Sequence, residues 1–382
     1  MMSQFSNEKE KPRVLIVGVS FDNEDKNNSM SELGSLVETA GGVVVGRIVQ
    51  NRKRADVEFF IGSGKVQEIK DMSIDKTADL VVFNNQLSGR QIKNLVDVLN
   101  TAVIDRNMLI LDIFAMRAQS KEGKLQVELA QLSYGFSRLI GHGKLMDRQE
   151  AAIGTRGPGE TKLEMDRRVI KKRITQKKRE IEKLSKQREW RRSKRLLSER
   201  NVAIVGYTNA GKSTLMNALT KAGVDVEDKL FATLDTTTRK IFYDIKRQYT
   251  VTDTVGFISD LPHEFIKAFK STLEEARYAD LLLLVVDILS EQIQKDIQVV
   301  LQVLEELESM DKHIIIVFNK IDGLLDSKQI QEQAACVDCI KDFEQVYISA
   351  KTGEGIDCLR QAISAKLFDI DEIICENNKE SQ

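Results

Sequence analysis

A phosphate-binding loop constrains this chain more than any other feature. Residues 206–213 form a complete GxxxxGK[ST] pattern between an apolar run at 202–205 and a helical pattern that follows. In such a strand–loop–helix context, backbone N–H groups and the helix N-terminus cradle phosphate oxygens. The pattern predicts a doubly wound α/β domain that binds nucleotide phosphates. The candidate residues are Gly206, Tyr207, Thr208, Asn209, Ala210, Gly211, Lys212, Ser213 and Thr214.

The same loop and a second segment supply candidate ligands for Mg²⁺. Lys212 would reach the β- and γ-phosphates, and the Ser213 hydroxyl would bind the metal directly. Asp253 follows the run 249–252 and would hold Mg²⁺ through a water molecule. The Gly256 amide would sense the γ-phosphate, as in a second switch. This switch candidate comprises Asp253, Thr254, Val255, Gly256 and Phe257.

Two later segments select the base. The carboxylate of Asp322 can accept hydrogen bonds from guanine N1–H and from its exocyclic amine, a donor pair that adenine lacks. The stem of Lys320 would lie over the base, and a backbone N–H at 349–351 can meet guanine O6. Four ordered segments, each following an apolar run, predict a GTPase. The guanine-binding candidates are Asn319, Lys320, Asp322, Ser349, Ala350 and Lys351.

A first switch is expected between the phosphate loop and Asp253. Such a segment supplies a threonine that completes the Mg²⁺ shell when the γ-phosphate is present. Several threonines between 233 and 238 compete for this role, and spacing alone does not choose among them. The candidate segment is Phe231, Ala232, Thr233, Leu234 and Asp235.

Phe257 stands where many GTPases carry a glutamine that orients the attacking water. A phenyl ring cannot do this, so the backbone, the first switch, a monovalent cation or a partner must act instead. The alternative is that the ring only packs and that hydrolysis is slow. Asn209, in the middle of the phosphate loop, is a candidate ligand for an activating K⁺ ion.

Charge is unevenly distributed along the chain. The formal net charge is −1, yet residues 161–200 carry 17 Lys and Arg against 6 Asp and Glu, a local excess of +11. A solvated helix usually mixes both signs, so this bias favours polyanion binding, with RNA as the first choice over a merely solvated face. The rRNA-binding candidates are Arg156, Arg167, Arg168, Lys171, Lys172 and Arg173.

The organisation of the chain follows from its apolar patterns. Short apolar runs alternate with helical patterns up to residue 118, which predicts a parallel sheet with flanking helices. Helical patterns then frame a glycine-rich loop at 141–160, and the helix from 161 would pair antiparallel with 122–140. The expected domains are an α/β domain at 1–118, a helical hairpin with the basic helix at 119–200, the GTPase domain at 201–368 and a polar acidic tail at 369–382.

Other features narrow the class of protein. Ile61-Gly62-Ser63-Gly64-Lys65-Val66 resembles a phosphate loop but lacks the metal-binding Ser or Thr, so a glycine-rich turn is the favoured interpretation. Four cysteines cannot form a disulfide framework for 382 residues, and the Cys336–Cys339 pair has no partner pair that would make a zinc site. The polar N-terminus and the shortness of the run 281–286 predict neither a signal peptide nor a membrane span. A cytoplasmic monomer is expected.

Taken together, these motifs resemble the HflX family of ribosome-associated GTPases. The segments that carry the resemblance are 61–66, 103–106, 111–114, 122–132, 154–160 and 206–214. The family's first switch is similar to 231–235, which selects Thr233, and a hydrophobic residue in the place of Phe257 is a family trait. Thr236 departs from the usual proline, and 149–152 departs from a glycine-richer run.

The resemblance implies a function on the large ribosomal subunit. Family members bind 50S particles and can split stalled ribosomes under stress, with the basic helix and the 141–160 loop contacting rRNA near the peptidyl-transferase region. Two alternatives stay open. A GTP-dependent switch for a protein partner would need little rRNA contact, whereas an RNA-modification GTPase would need a catalytic cysteine that is absent before Cys336.

Overall fold

The computed structural model describes residues 11–21, 27–149, 162–195, 200–220, 230–231, 236–242, 247–258, 275–324, 329, 340 and 343–377. The chain forms two compact units. The first contains residues 1–116 and 127–179, and the second contains residues 117–126 and 180–382. The four domain boundaries drawn from the sequence stay predictions.

The first unit is built on a four-stranded parallel sheet in the order β2-β1-β3-β4. Its central strands are apolar on both faces, as expected when helices cover both sides. Leu15, Val17, Val81 and Phe83 are among the buried side chains of its core. This confirms the predicted parallel α/β fold. The strands are β1 (Arg13–Phe21), β2 (Val43–Arg52), β3 (Leu80–Phe83) and β4 (Ala102–Asp105).

Helices connect these strands and continue beyond them. A capping box between Ser88 and Gln91 begins the third helix, because each side chain satisfies a backbone N–H of the first turn. Lys65 Nζ of the glycine-rich segment pairs with Glu68 at 2.7 Å. The helices are α1 (Asn27–Thr39), α2 (Ser63–Asp75), α3 (Gly89–Leu99), α4 (Arg106–Arg117), α5 (Lys121–Gln149) and α6 (Lys162–Arg195).

The long helices α5 and α6 match the predicted helical pair, and Lys177 Nζ of α6 lies 2.8 Å from Glu128 of α5. The sequence placed a loop from residue 141, and this was wrong for 141–149. Helix α5 runs through Gly141 and Gly143 because glycine weakens a helix by about 1 kcal/mol without ending it. The rest of the predicted loop, with Arg156, lies outside the described residues.

One buried carboxylate fixes α5 on the first sheet. Asp105 ends β4 and is fully buried. Its Oδ2 accepts hydrogen bonds from Tyr134 Oη at 2.6 Å, from Arg138 at 2.5 Å and from the Leu87 N–H at 3.1 Å. Burial and the neighbouring carboxylate raise the pKa of Tyr134, so its hydroxyl stays a donor. The Asp105 carboxylate is therefore held by donors from two successive turns of α5 and by the backbone at Leu87.

The second unit holds a six-stranded sheet in the order β10-β9-β8-β5-β7-β6, parallel except for the edge strand β6. This confirms the predicted doubly wound GTPase fold. The strands are β5 (Arg200–Gly206), β6 (Thr237–Phe242), β7 (Gln248–Asp253), β8 (Leu281–Asp287), β9 (His313–Asn319) and β10 (Glu344–Tyr347). The helices are α7 (Lys212–Thr220), α8 (Ile293–Glu306) and α9 (Ile356–Asn377).

Alternating side chains of β5 bury both faces of this sheet. Val202 and Ile204 join one apolar cluster with residues of α7 and α9, whereas Ala203 and Val205 join another with α8. The loops after the parallel strands therefore meet at one edge, where doubly wound folds bind ligands. Helix α9 extends to Asn377, nine residues into the polar tail that the sequence predicted from residue 369. No helix in the described ranges is long and apolar enough to cross a membrane.

Candidate functional site: a nucleotide pocket at the carboxyl edge of the second sheet

The phosphate loop at 206–213 joins β5 to α7 in the conformation that its glycines permit. Gly211 has a φ of +93°, and a Cβ there would clash with the Asn319 side chain. A Cβ on Gly206 would likewise clash with the carbonyl of Val285. Asn209 takes a φ of +60° and is exposed at the crest of the loop. These two glycines thus allow close contacts with Asn319 and Val285 that a larger residue would break.

Lys212 lies under this loop at the first position of α7. Its side chain is buried, and Nζ donates to the Tyr207 carbonyl at 2.7 Å. Burial lowers the pKa of Lys212 to about 8, although the nearby Asp253 carboxylate acts in the opposite direction. Because burial disfavours the charged form of Lys212, a negatively charged ligand beside it would stabilise the ammonium.

Two predicted metal ligands meet beside the loop. Ser213 Oγ donates to Asp253 Oδ2 at 2.7 Å, and Asp253 is buried at the end of β7. Hydroxyl and carboxylate oxygens are the ligands that Mg²⁺ prefers, with water and phosphate completing its shell. The residues present therefore fit Mg²⁺. Thr233 and its neighbours 232–235 lie outside the described residues; Phe231, with a φ of +53°, is buried.

The second switch segment is docked on the phosphate loop. The Thr208 N–H donates to the Phe257 carbonyl at 2.7 Å, and the Phe257 N–H donates to the Gly206 carbonyl at 3.1 Å. Thr254 Oγ1 donates to the Ile204 carbonyl at 2.7 Å. The ring of Phe257 is only 1% exposed and belongs to the apolar cluster of Ala203 and Val205. Phe257 therefore packs in the core, and its ring cannot orient water.

Asn319 connects the phosphate loop to both candidate base-binding segments. Its Nδ2 donates to the Ala210 carbonyl at 2.8 Å, and its Oδ1 accepts from the Ala350 N–H at 2.9 Å. Ser349 Oγ donates to Asp322 Oδ1 at 2.7 Å, which aligns one oxygen of that carboxylate. Lys351 lies on the exposed turn beyond them. The structure thus brings the guanine-binding candidates of 319–322 and 349–351 together at one edge of the sheet.

The sequence reasoning missed Asp287, the last residue of β8. Its Oδ2 lies 2.7 Å from Lys320 Nζ, and its Oδ1 accepts from the Leu289 N–H at 3.0 Å. Lys320 takes a φ of +69°, so its side chain leaves the backbone in an uncommon direction that this ion pair fixes. Its position at the end of a strand was the signal that could have revealed it, because β8 is parallel to β5 and β9 and ends at the same edge of the sheet.

The rRNA-binding candidates that the structure describes lie on α6, in the first unit, whereas Arg156 lies outside the described residues. Arg168, Lys171, Lys172 and Arg173 are exposed, and Arg167 is half-buried. Met165 and Val169 are also exposed, so this stretch of helix offers both cationic and apolar contacts to solvent.

Comparison with known proteins matches three family descriptions in succession. They are the N-terminal region of GTP-binding GTPases at 27–115, the middle region of the same proteins at 117–195, and a 50S ribosome-binding GTPase at 201–320. The GTPase HflX of Caldanaerobacter subterraneus is 48% identical, over 96% of this chain and 83% of its own length. The chain belongs to the HflX family of GTPases. The Escherichia coli HflX is 42% identical over 93% of this chain and 83% of its own.

A solved structure supports the same conclusion for the fold. The crystal structure of SsGBP in complex with GDP is 27% identical to this HflX-family chain, with a TM-score of 0.53, and the match covers 95% of this chain and 99% of that one. The HflX relatives and the GTPase domain identify this protein as an enzyme that hydrolyses GTP to GDP and phosphate.

Proposed function

We propose that this GTPase acts on the large ribosomal subunit in the cytoplasm and splits or rescues stalled ribosomes under stress. One observation carries the proposal: Phe257 is buried in the core, so its ring cannot orient the attacking water. Of the groups that could act instead, we propose that a partner supplies the missing help. The match of residues 201–320 to a 50S ribosome-binding GTPase supports the large subunit as that partner.

The proposed chemistry distributes roles among the residues of the pocket. The N–H groups of the phosphate loop and Lys212 bind the phosphates, and Lys212 balances charge that develops on the leaving β-phosphate. Ser213 and Thr233 would hold Mg²⁺ directly, and Asp253 would hold it through water; when bound, the metal would neutralise phosphate charge. Asp322 accepts hydrogen bonds from guanine N1–H and from the exocyclic amine. A backbone N–H at 349–351 donates to guanine O6.

The remaining assignments concern the switches and K⁺. The Gly256 amide would sense the γ-phosphate, and Thr233 would complete the Mg²⁺ shell in the GTP state. Asn209 is exposed in the middle of the phosphate loop and is the proposed K⁺ ligand. Because the buried Phe257 cannot orient the attacking water, a bound K⁺ ion is one group that would act in its place. Equal hydrolysis rates in K⁺ and Na⁺ buffers would exclude the ion.

The exposed cations of α6 are proposed to contact rRNA, together with Arg156. Lys171 and Lys172 lie next to each other and are both exposed, and net positive charge extends along the helix. Neutralising phosphates releases counterions, so such binding must weaken steeply as salt rises. A protein-partner switch would show little of this dependence.

The test compares GTP hydrolysis by the full chain with and without isolated 50S subunits in K⁺ buffer. We expect a strong increase with 50S. The double variant Lys171→Glu/Lys172→Glu should bind 50S more weakly but hydrolyse GTP normally on its own. A matched control is Arg90→Glu/Lys93→Glu, which reverses two exposed cations on α3. No stimulation by 50S, with normal GTP binding, would favour the protein-partner switch instead.

A further inference from the structure

A cavity beside the phosphate loop, between β8 and α8, has no role in the chemistry proposed above. It has a volume of about 210 Å³ and is called the β8–α8 cavity below. Its described lining comes from the phosphate loop at 207–210, from β8 at 284–287, from Ser290 and from α8. Protein interiors are otherwise closely packed and contain few spaces larger than a water molecule. Pockets for drug-sized ligands measure about 300–1,000 Å³, so this cavity has room for a smaller molecule.

The lining combines buried apolar residues with polar residues that reach solvent. Ile297 and Val300 of α8 are each only 1% exposed. Asn209 is exposed, and Asp287 and Asp296 are partly exposed. Small-molecule sites usually have this composition, in which apolar walls supply most of the contact and a few polar groups fix the orientation of the ligand. A ligand with one polar end and one apolar end therefore fits this lining.

The charges of the lining favour a cation at the polar end. Asp287 and Asp296 each contribute a carboxylate, and the lining residues that the structure describes include no Lys, Arg or His. Ser290 Oγ donates to Asp296 Oδ2 at 2.6 Å, which orients that carboxylate. A carboxylate has about four acceptor positions, so Asp296 can accept a further hydrogen bond from an ammonium group. Such a charge-assisted bond is stronger than the bond that a neutral hydroxyl would donate.

Asp287 connects the cavity to the guanine-binding candidates. Its Oδ2 pairs with Lys320 Nζ at 2.7 Å, and its Oδ1 accepts from the Leu289 N–H. Ala210, also part of the lining, accepts a hydrogen bond from Asn319. A cation in the cavity would compete with Lys320 for the Asp287 carboxylate, so it should weaken the binding of GDP. Because coupling between two sites is reciprocal, GDP must weaken the binding of the cation by the same factor.

We propose that the β8–α8 cavity is a second ligand site, which binds a small organic cation made of a primary ammonium group and a short apolar body. The ammonium group binds the Asp296 carboxylate, and the apolar body packs against Ile297 and Val300. Occupancy of the cavity lowers the affinity for GDP roughly two- to fivefold, through Asp287 and Lys320. Binding of the cation does not depend on the ribosome, whereas its effect on GDP rests on the proposed assignment of Lys320 to guanine binding.

The first experiment measures the binding of phenethylamine to the full, nucleotide-free chain by saturation-transfer NMR. Phenethyl alcohol, which has the same apolar body and no charge, is the matched probe. We expect a Kd of about 1 mM for the amine, as suits a ligand of so few atoms, and roughly fivefold weaker binding of the alcohol. Asp296→Asn should weaken the amine to the level of the alcohol. Glu305→Gln, which changes an exposed carboxylate of α8 outside the lining, is the control and should bind the amine normally. Val300→Phe should fill the cavity and abolish the binding of both probes.

The second experiment compares the Kd for GDP in saturating phenethylamine with the Kd in NaCl of equal ionic strength. A roughly two- to fivefold rise in the original chain, with no rise in Asp296→Asn, is the expected result. An unchanged Kd with the amine bound would overturn the coupling. No detectable binding of the amine, equal binding of the two probes, or normal amine binding by Asp296→Asn would overturn the site itself, and this last comparison decides the matter even if Val300→Phe does not fold. Both experiments omit ribosomes, so a failure of stimulation by 50S subunits would leave their results unchanged.

Discussion

Removing the Asn319 side chain should detach the phosphate loop from the base-binding loops. In Asn319→Ala, the Ala210 carbonyl loses a bond of 2.8 Å and the Ala350 N–H loses one of 2.9 Å. All three residues are buried, so water cannot easily replace either partner. An unmet buried backbone group costs about 1–3 kcal/mol, so the two together predict a loss of about 2–6 kcal/mol in the free energy of unfolding. That is a large part of the stability of an ordinary domain.

The assay is urea unfolding of the nucleotide-free chain followed by circular dichroism, together with GDP affinity. The transition of the second unit should move to lower urea, and the Kd for GDP should rise. Asn319→Asp keeps the acceptor for Ala350 but loses the donor to Ala210, so it tests the two bonds separately. Asn94→Ala, which removes one bond to the exposed Glu58 carbonyl, is the control and should cost less than about 1 kcal/mol. A loss below that value in Asn319→Ala would refute the bridging role.

Three further predictions concern the pocket. Burial lowers the pKa of Lys212 to about 8, and bound phosphate would raise it, so GDP binding takes up a proton at alkaline pH. The Kd for GDP should therefore rise roughly tenfold between pH 7 and 9. Lys212→Arg should flatten this pH profile, and a flat profile in the original chain would contradict the linkage. Asp287→Asn frees Lys320 from its ion pair and should raise the Kd for GDP roughly two- to fivefold while kcat at saturating GTP stays the same; a lower kcat with an unchanged Kd would argue against a positioning role. Asp322→Asn should shift the preference from GTP toward xanthosine triphosphate, and unchanged selectivity for GTP would refute the guanine assignment.

Much of the pocket could be predicted because its chemistry is encoded in fixed local spacing. The phosphate loop at 206–213 must sit between a strand and a helix, and the segments ending at Asp253 and Asn319 must follow strands to reach the same edge. These constraints act over a few residues. The roles of individual side chains in the pocket remain predictions.

The features that the sequence did not reveal depend on contacts between distant residues. Asn319 meets Ala210 across 109 positions of the chain, and Asp287 meets Lys320 from a different strand. Neither pairing follows from local spacing. The packing of the Phe257 ring among Ala203 and Val205 likewise depends on the fold. Helix α5 continues past Gly141 because the cost of one glycine is small beside the cooperativity of a long helix.

The clamp on Asp105 also has a mechanical consequence. Tyr134 and Arg138 are separated by one helical turn and grip the same carboxylate oxygen. If α5 slid along its axis by even one residue, both hydrogen bonds would break together, and the buried Asp105 carboxylate would lose two of its partners. Gradual sliding is therefore unfavourable, and the end of β4 is a fixed point of attachment for α5. Tension applied to the far end of α5 would turn the helix about this point or release it in a single step.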